Sequence, residues 1–160
     1  MSFSDATTPE QPQDLLNLLN PEAQEVLNIA QQEAQRINHF WVGVEHLFMG
    51  LTEQPGGLTV KLLQHLKIDP QPLRGYIRVT AGIGDPRYKI PPGPPLENGG
   101  AQMVITPRLL DILKKARAEA QKQGKQLIAP EHLLLAILEE GESTPIRILQ
   151  KLGFNPSQLL

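Results

Sequence analysis

Pro130-Glu131-His132-Leu133-Leu134-Leu135-Ala136-Ile137-Leu138 decides the fold, because a shorter echo of it, Glu45-His46-Leu47, stands 86 residues earlier. Sliding the chain against itself by that interval aligns Asn20 to Arg74 with Thr106 to Leu160 without a gap, about a quarter of the positions being identical. Pro21 meets Pro107, Leu27 meets Leu113 and Ala30 meets Ala116. Glu33-Ala34-Gln35 meets Glu119-Ala120-Gln121, and Leu63-Gln64 meets Leu149-Gln150. A match over a whole unit marks a duplication, and it implies two copies of one supersecondary unit about a pseudo-twofold axis.

Within each copy the period is helical. Ala23, Val26, Leu27, Ala30, Ala34 and Ile37 recur at three- and four-residue steps, as do Leu109, Leu113, Ala116 and Ala120, so each series forms one buried stripe. Pro21 and Pro107 suit a first helical turn, and Asn20 and Thr106 before them are good N-caps. Second helices are expected over Val44 to Glu53 and Pro130 to Glu140, third ones over Leu58 to Leu66 and Ser143 to Leu152. A short fourth should begin at Pro70 and at Pro156, each shortly after a third helix that must stop before its proline. Leu15, Leu16, Leu18 and Leu19 supply a helical turn that covers the core edge. Met103-Val104-Ile105 is too short to read as a strand.

These elements divide the chain into a tail (1–19), a first repeat (20–77), a linker rich in proline and glycine (78–104) and a second repeat (105–160). The expected class is all-α, two four-helix repeats forming one compact domain. Low aromatic content, 4%, agrees with a core of Leu, Ile, Val and Ala. The absence of cysteine excludes disulfides, thiolate zinc sites and a cysteine nucleophile. No secretory signal is read in Met1 to Gln13 and no apolar run is long enough for a membrane helix, so a cytoplasmic protein is expected. The second repeat stops opposite Arg74, inside an element, as the front piece of a longer protein would.

Net charge is -2 overall, yet residues 1–77 hold four Lys or Arg against nine acids and residues 78–160 eleven against eight. Much of the positive excess lies between Arg108 and Lys125. A solvated helix face accounts for it, and the stretch lacks the aromatic residues that stack nucleic-acid bases, so no nucleic-acid partner is expected. Chemistry is missing as well. Gly124-Lys125-Gln126 is no phosphate loop, there is no Gly-x-Ser-x-Gly elbow, and the four histidines show no i, i+4 pairing for a metal. No enzyme activity, cofactor or metal is expected, and His46 and His132 are read as capping or core groups.

The Ala-x-x-Glu-Ala end of each first helix, the Glu-His-Leu after it and the Leu-rich helix before proline together resemble the double Clp amino-terminal repeat, the R domain of ClpC/ClpA-like AAA+ unfoldases. The resemblance covers residues 20 to 160. It implies a protein-binding module that receives substrates or adaptors for a Clp ATPase hexamer. A free-standing accessory subunit docking on a Clp peptidase ring is the alternative. It also implies that Glu45 and Glu131 bind phosphorylated arginine with the residues opening the first helices, Thr106 and Asn20, close by. Asn20 stands where the family commonly has Thr. A glutamate in a first helical turn is favoured by the helix dipole in any case, and a carboxylate there can also receive a guanidinium while N-terminal amides receive an anion. With Thr106 assigned to Glu131 and Asn20 to Glu45, the second-repeat site is expected to be the stronger.

Overall fold

The computed structural model describes residues 12–37, 39, 41–81 and 104–154. Eight helices run through these residues: α1 (Pro12–Leu16), α2 (Pro21–Arg36), α3 (Val44–Thr52), α4 (Leu58–His65), α5 (Pro70–Ala81), α6 (Pro107–Lys122), α7 (Pro130–Glu140) and α8 (Thr144–Lys151). Asn20 Oδ1 accepts the Ala23 amide at 2.8 Å and Thr106 Oγ1 accepts the Leu109 amide at 3.1 Å, so both first helices start where cap and proline dictate. The second and third helices lie within one residue of the limits expected from periodicity.

One boundary differs from that reading. Helix α5 continues past residue 77 to Ala81, because Ile77 is fully buried and Arg78 reaches back to the Glu33 carboxylate, which holds another turn against α2. The linker therefore starts later than 78. Ile105 forms a single parallel bridge with Val42, too little for a strand but enough to fix the entry of α6. The tail before Pro12, the proline-rich stretch at 82–103 and the fourth helix expected at Pro156 lie outside the described residues.

The stripes are buried as their spacing requires. Ala23, Val26, Leu27, Ala30 and Ala34 of α2 and Leu109, Leu113, Ala116 and Ala120 of α6 are at most 1% exposed. Leu15, Leu16 and Leu19 close the core edge. Within the repeats α2 lies on α3 and α6 on α7, and between them α3 meets α8 as α7 meets α4. The second helices α3 and α7 also meet each other. Residues of both repeats consequently share one hydrophobic cluster. Neither repeat covers its own core, which is the ordinary condition of a short repeat unit.

Closeness of α2 and α3 depends on Gly50, where a Cβ would lie 2.5 Å from the Val26 carbonyl oxygen. The equivalent position of the second repeat is Ala136. Gly50→Ala is expected to destabilise the protein by about 1–3 kcal/mol, since backbone has to move. The gain in helix propensity, about 1 kcal/mol, offsets only part of this. Chemical denaturation of the two proteins measures the difference, and an alanine variant as stable as the parent would show that the helices are less closely apposed.

Candidate ligand-binding clefts

The starts of the helices are tied together across the repeats. Asn20 N–H donates to the Ile128 carbonyl at 2.8 Å and Ile128 N–H to that of Leu18 at 2.7 Å. Related by the 86-residue offset, Val42 N–H donates to the Val104 carbonyl at 2.8 Å and Thr106 N–H to that of Val42 at 3.1 Å. Each bridge sets the first helix of one repeat beside the second helix of the other. Directly after each bridge a histidine fixes the helix start: Gly43 N–H donates to His46 Nδ1 and Ala129 N–H to His132 Nδ1, both at 2.8 Å. Both imidazoles are fully buried, so they act as caps and core groups.

Two clefts open at these junctions. The first, about 480 Å³, has Glu45 and Trp41 from repeat one facing Thr106, Arg108, Ser143 and Arg147 from repeat two. The second, about 660 Å³, has Glu131, Leu127 and Lys125 from repeat two facing Asn20, Glu22 and Gln54 from repeat one. Both volumes lie within the range of small-ligand pockets. Glu45 and Glu131 are half-buried, and among the described residues neither carboxylate has a hydrogen-bond or ion-pair partner. A carboxylate held at a helix start with no partner is a ready acceptor for a guanidinium or ammonium group.

All four candidate residues thus line clefts, but in crossed pairs. Thr106 stands with Glu45, and Asn20 with Glu131, contrary to the pairing expected from the sequence. Residues of one repeat are neighbours along the chain, whereas the two bridges join helix starts of opposite repeats. The ground for making the Glu131 site the stronger therefore falls. Periodicity also gave no hint of Trp41, Ser143, Arg108 or Arg147 as cleft residues. The one usable signal was the apolar residue before each helix start, Leu19, Val42, Ile105 and Ile128, spaced to pair across the repeats. The basic stretch of α6 is a solvated face, with Arg108 paired to Glu140 at 2.6 Å and Lys122 to Glu119 at 3.3 Å.

Behind the first cleft lies a polar cluster that the second lacks. Because His46 Nδ1 accepts the Gly43 amide, its proton sits on Nε2 and is donated to His39 Nδ1 at 2.8 Å. Trp41 stacks on His39 with centroids 4.5 Å apart. Burial and then the neighbouring His39 push the His46 pKa down to about 3, against a smaller opposing pull from Glu33. Burial pushes the Glu33 carboxyl up, but Arg78 and then Arg36 outweigh it and hold it below the ordinary value. Arg78 donates from Nε at 2.6 Å and from a terminal nitrogen at 3.1 Å to the two Glu33 oxygens. In the second repeat Lys125 and Gln123 occupy this region, and His132 Nε2 donates to Gln123 Oε1 at 2.8 Å. His132 is also lowered, chiefly by burial.

Among the described residues there is no cluster of His, Cys, Asp and Glu suited to a metal ion, and no helix long and apolar enough to cross a membrane. A family model for the Clp repeat (R) N-terminal domain matches residues 18–152. The chain is 29% identical over 148 residues to a chloroplastic chaperone protein ClpC of Pisum sativum, covering 92% of this chain and 15% of that one. It is 30% identical, with the same coverage, to the chloroplastic ATP-dependent Clp protease ATP-binding subunit ClpA homolog CD4B of Solanum lycopersicum. The chain thus spans about a seventh of the length of these relatives. Among solved structures, the N-terminal domain of ClpD from Arabidopsis thaliana superposes with a TM-score of 0.64 at 19% identity, over 90% of each chain.

Proposed function

Since the chain belongs to the Clp repeat N-terminal domain family, we propose that it is the substrate- or adaptor-docking module of a Clp-type AAA+ unfoldase and that its two clefts receive arginine-bearing segments of those partners. The observation that carries this reading is the pair of unpartnered carboxylates, each facing the first-helix N-cap of the opposite repeat. A carboxylate binds a guanidinium through two parallel hydrogen bonds, while helix-start amides and a cap hydroxyl accommodate an attached phosphoryl group. Phosphoarginine, the ligand that the family resemblance suggests, combines both requirements. The relatives' names tie their full-length chains to a chaperone and to an ATP-dependent protease, which supports delivery to an ATPase as the purpose of binding. The module itself turns over no substrate.

The crossed geometry changes the expected order of the sites. Glu45 has Thr106 and the aromatic wall of Trp41, whose face attracts a guanidinium, whereas Glu131 has Asn20 and Leu127. Calorimetric titration with a phosphoarginine peptide is expected to lose about 1.5–3 kcal/mol of affinity in Glu45→Ala and less in Glu131→Ala. Parent-like binding by both variants would refute arginine recognition in these clefts.

A further inference from the structure

We propose that the solvent-facing side of α5 is a self-association surface, on which a second copy of this chain packs its own α5 antiparallel, with Tyr76 seated over Gly75 of the other copy. The helix has two apolar faces. Leu73 and Ile77 are at most 1% exposed and belong to the core. Pro72, Gly75, Tyr76 and Val79 follow one another at steps of three, one and three residues, which places them together on a second face. That face is open: Tyr76 is 62% and Val79 82% exposed, Pro72 is exposed and Gly75 half-buried. None of the four residues is charged, and none lines either cleft. Arg74 and Arg78 point elsewhere, Arg74 donating to Thr52 Oγ1 at 3.1 Å and Arg78 to Glu33.

Gly75 is the residue that the fold of a single chain does not require. A glycine inside a helix weakens it relative to alanine. At Gly50 there is a reason within the chain, because a Cβ would meet the Val26 carbonyl oxygen at 2.5 Å, whereas at Gly75 a Cβ would meet nothing within 4 Å. Close approach from outside the chain supplies the missing reason. The register names the occupant. Pro72 and Tyr76 form one i, i+4 ridge and Gly75 and Val79 the next, the kind of ridge that interlocks in the commonest helix packing. Laid antiparallel about the midpoint between Gly75 and Tyr76, two copies match throughout: Tyr76 falls over Gly75 of the other helix, and Pro72 over its Val79. The same residues supply both knob and recess, as a twofold interface requires, and no charge is buried. Four residues a side cover much less than the roughly 800 Å² per partner of a standard interface, so the pairing is weak and concentration-dependent.

Sedimentation velocity on the full chain from about 5 µM to about 1 mM tests this, a range that reaches the weak end of specific association. The parent should move from monomer toward dimer and no further. Tyr76→Glu, at an exposed position, should remain monomeric throughout. Gly75→Ala is the sharper variant, because its methyl has room in the monomer and none between two helices. Its melting temperature at low concentration should rise by about 2–4 °C, while its self-association weakens about tenfold or more. A parent that stays monomeric at the highest concentration overturns the pairing and leaves the face to a foreign apolar helix. Dimers that persist undiminished in both variants overturn it as well, since the copies would then meet elsewhere. A Gly75→Ala protein that melts lower than the parent also overturns it, because the glycine would then serve the single chain.

Discussion

Acidifying the protein from pH 7 to pH 4 should cost about 3 kcal/mol of folding stability through His46 alone. In the folded chain this imidazole resists protonation down to about pH 3, whereas the unfolded chain takes up the proton near 6.5. Between those values the unfolded state binds more protons, so stability rises with pH across the window and falls on acidification. Each pH unit crossed is worth about 1.4 kcal/mol. The cause is burial, with the neighbouring His39 adding to it, and a proton on Nδ1 would also take the acceptor away from the Gly43 amide at the helix start. His132 contributes in the same direction, its pKa being lowered for the same principal reason. Glu33, whose pKa is also lowered, adds a loss as pH falls through the carboxylate range. Urea unfolding at a series of pH values measures the slope. His46→Asn, which keeps an acceptor for the Gly43 amide and removes the titration, should flatten it by about one proton; an unchanged slope between pH 6 and 4 would show that the acid sensitivity arises elsewhere.

Replacing Arg78 by leucine should have an effect of similar size, about 3 kcal/mol, at the low end for a broken buried pair because Arg78 is 31% exposed. The damage comes from the partner left behind. Glu33 is 1% exposed and would retain only the Arg36 bond at 3.3 Å, from a side chain largely in solvent. Glu33→Leu in the same chain should recover much of the loss, since an apolar pair removes the uncompensated charge. Double-variant stability no better than that of Arg78→Leu would mean that the pair positions α5 through shape. This contact holds the final turn of α5 and so sets where the first repeat ends.

How much of this was legible in the sequence follows from which interactions are local. Helix starts at Pro21 and Pro107 depend on a cap and a proline within four residues, and the stripes on a period of 3.6, so both could be read directly. The gap-free repeat told that two units exist but not how they interlock. That depends on Leu19 meeting Ile128 and Val42 meeting Ile105, contacts between residues more than sixty positions apart that leave no periodic trace. Glu45 and Glu131 could be singled out because the Glu-His-Leu motif is duplicated. Their neighbours were misassigned because chain proximity stood in for spatial proximity. Ser143 and Trp41 escaped notice for a related reason, as they differ from their repeat equivalents Gly57 and Leu127, and similarity was what drew attention. Arg78 was placed in the linker because its partner lies 45 residues back.

The central claim is that each ligand site is assembled from both repeats, and a double-mutant cycle tests it most directly. Phosphoarginine-peptide affinity is measured calorimetrically for the parent, Glu45→Ala, Thr106→Val, Glu131→Ala and the two doubles that combine Thr106→Val with either glutamate variant. The crossed arrangement predicts a coupling energy of at least about 0.5 kcal/mol between Thr106 and Glu45, which belong to different repeats, and additivity within about 0.3–0.5 kcal/mol between Thr106 and Glu131. Coupling of Thr106 to Glu131 with none to Glu45 would contradict the account, because each repeat would then be building a site of its own.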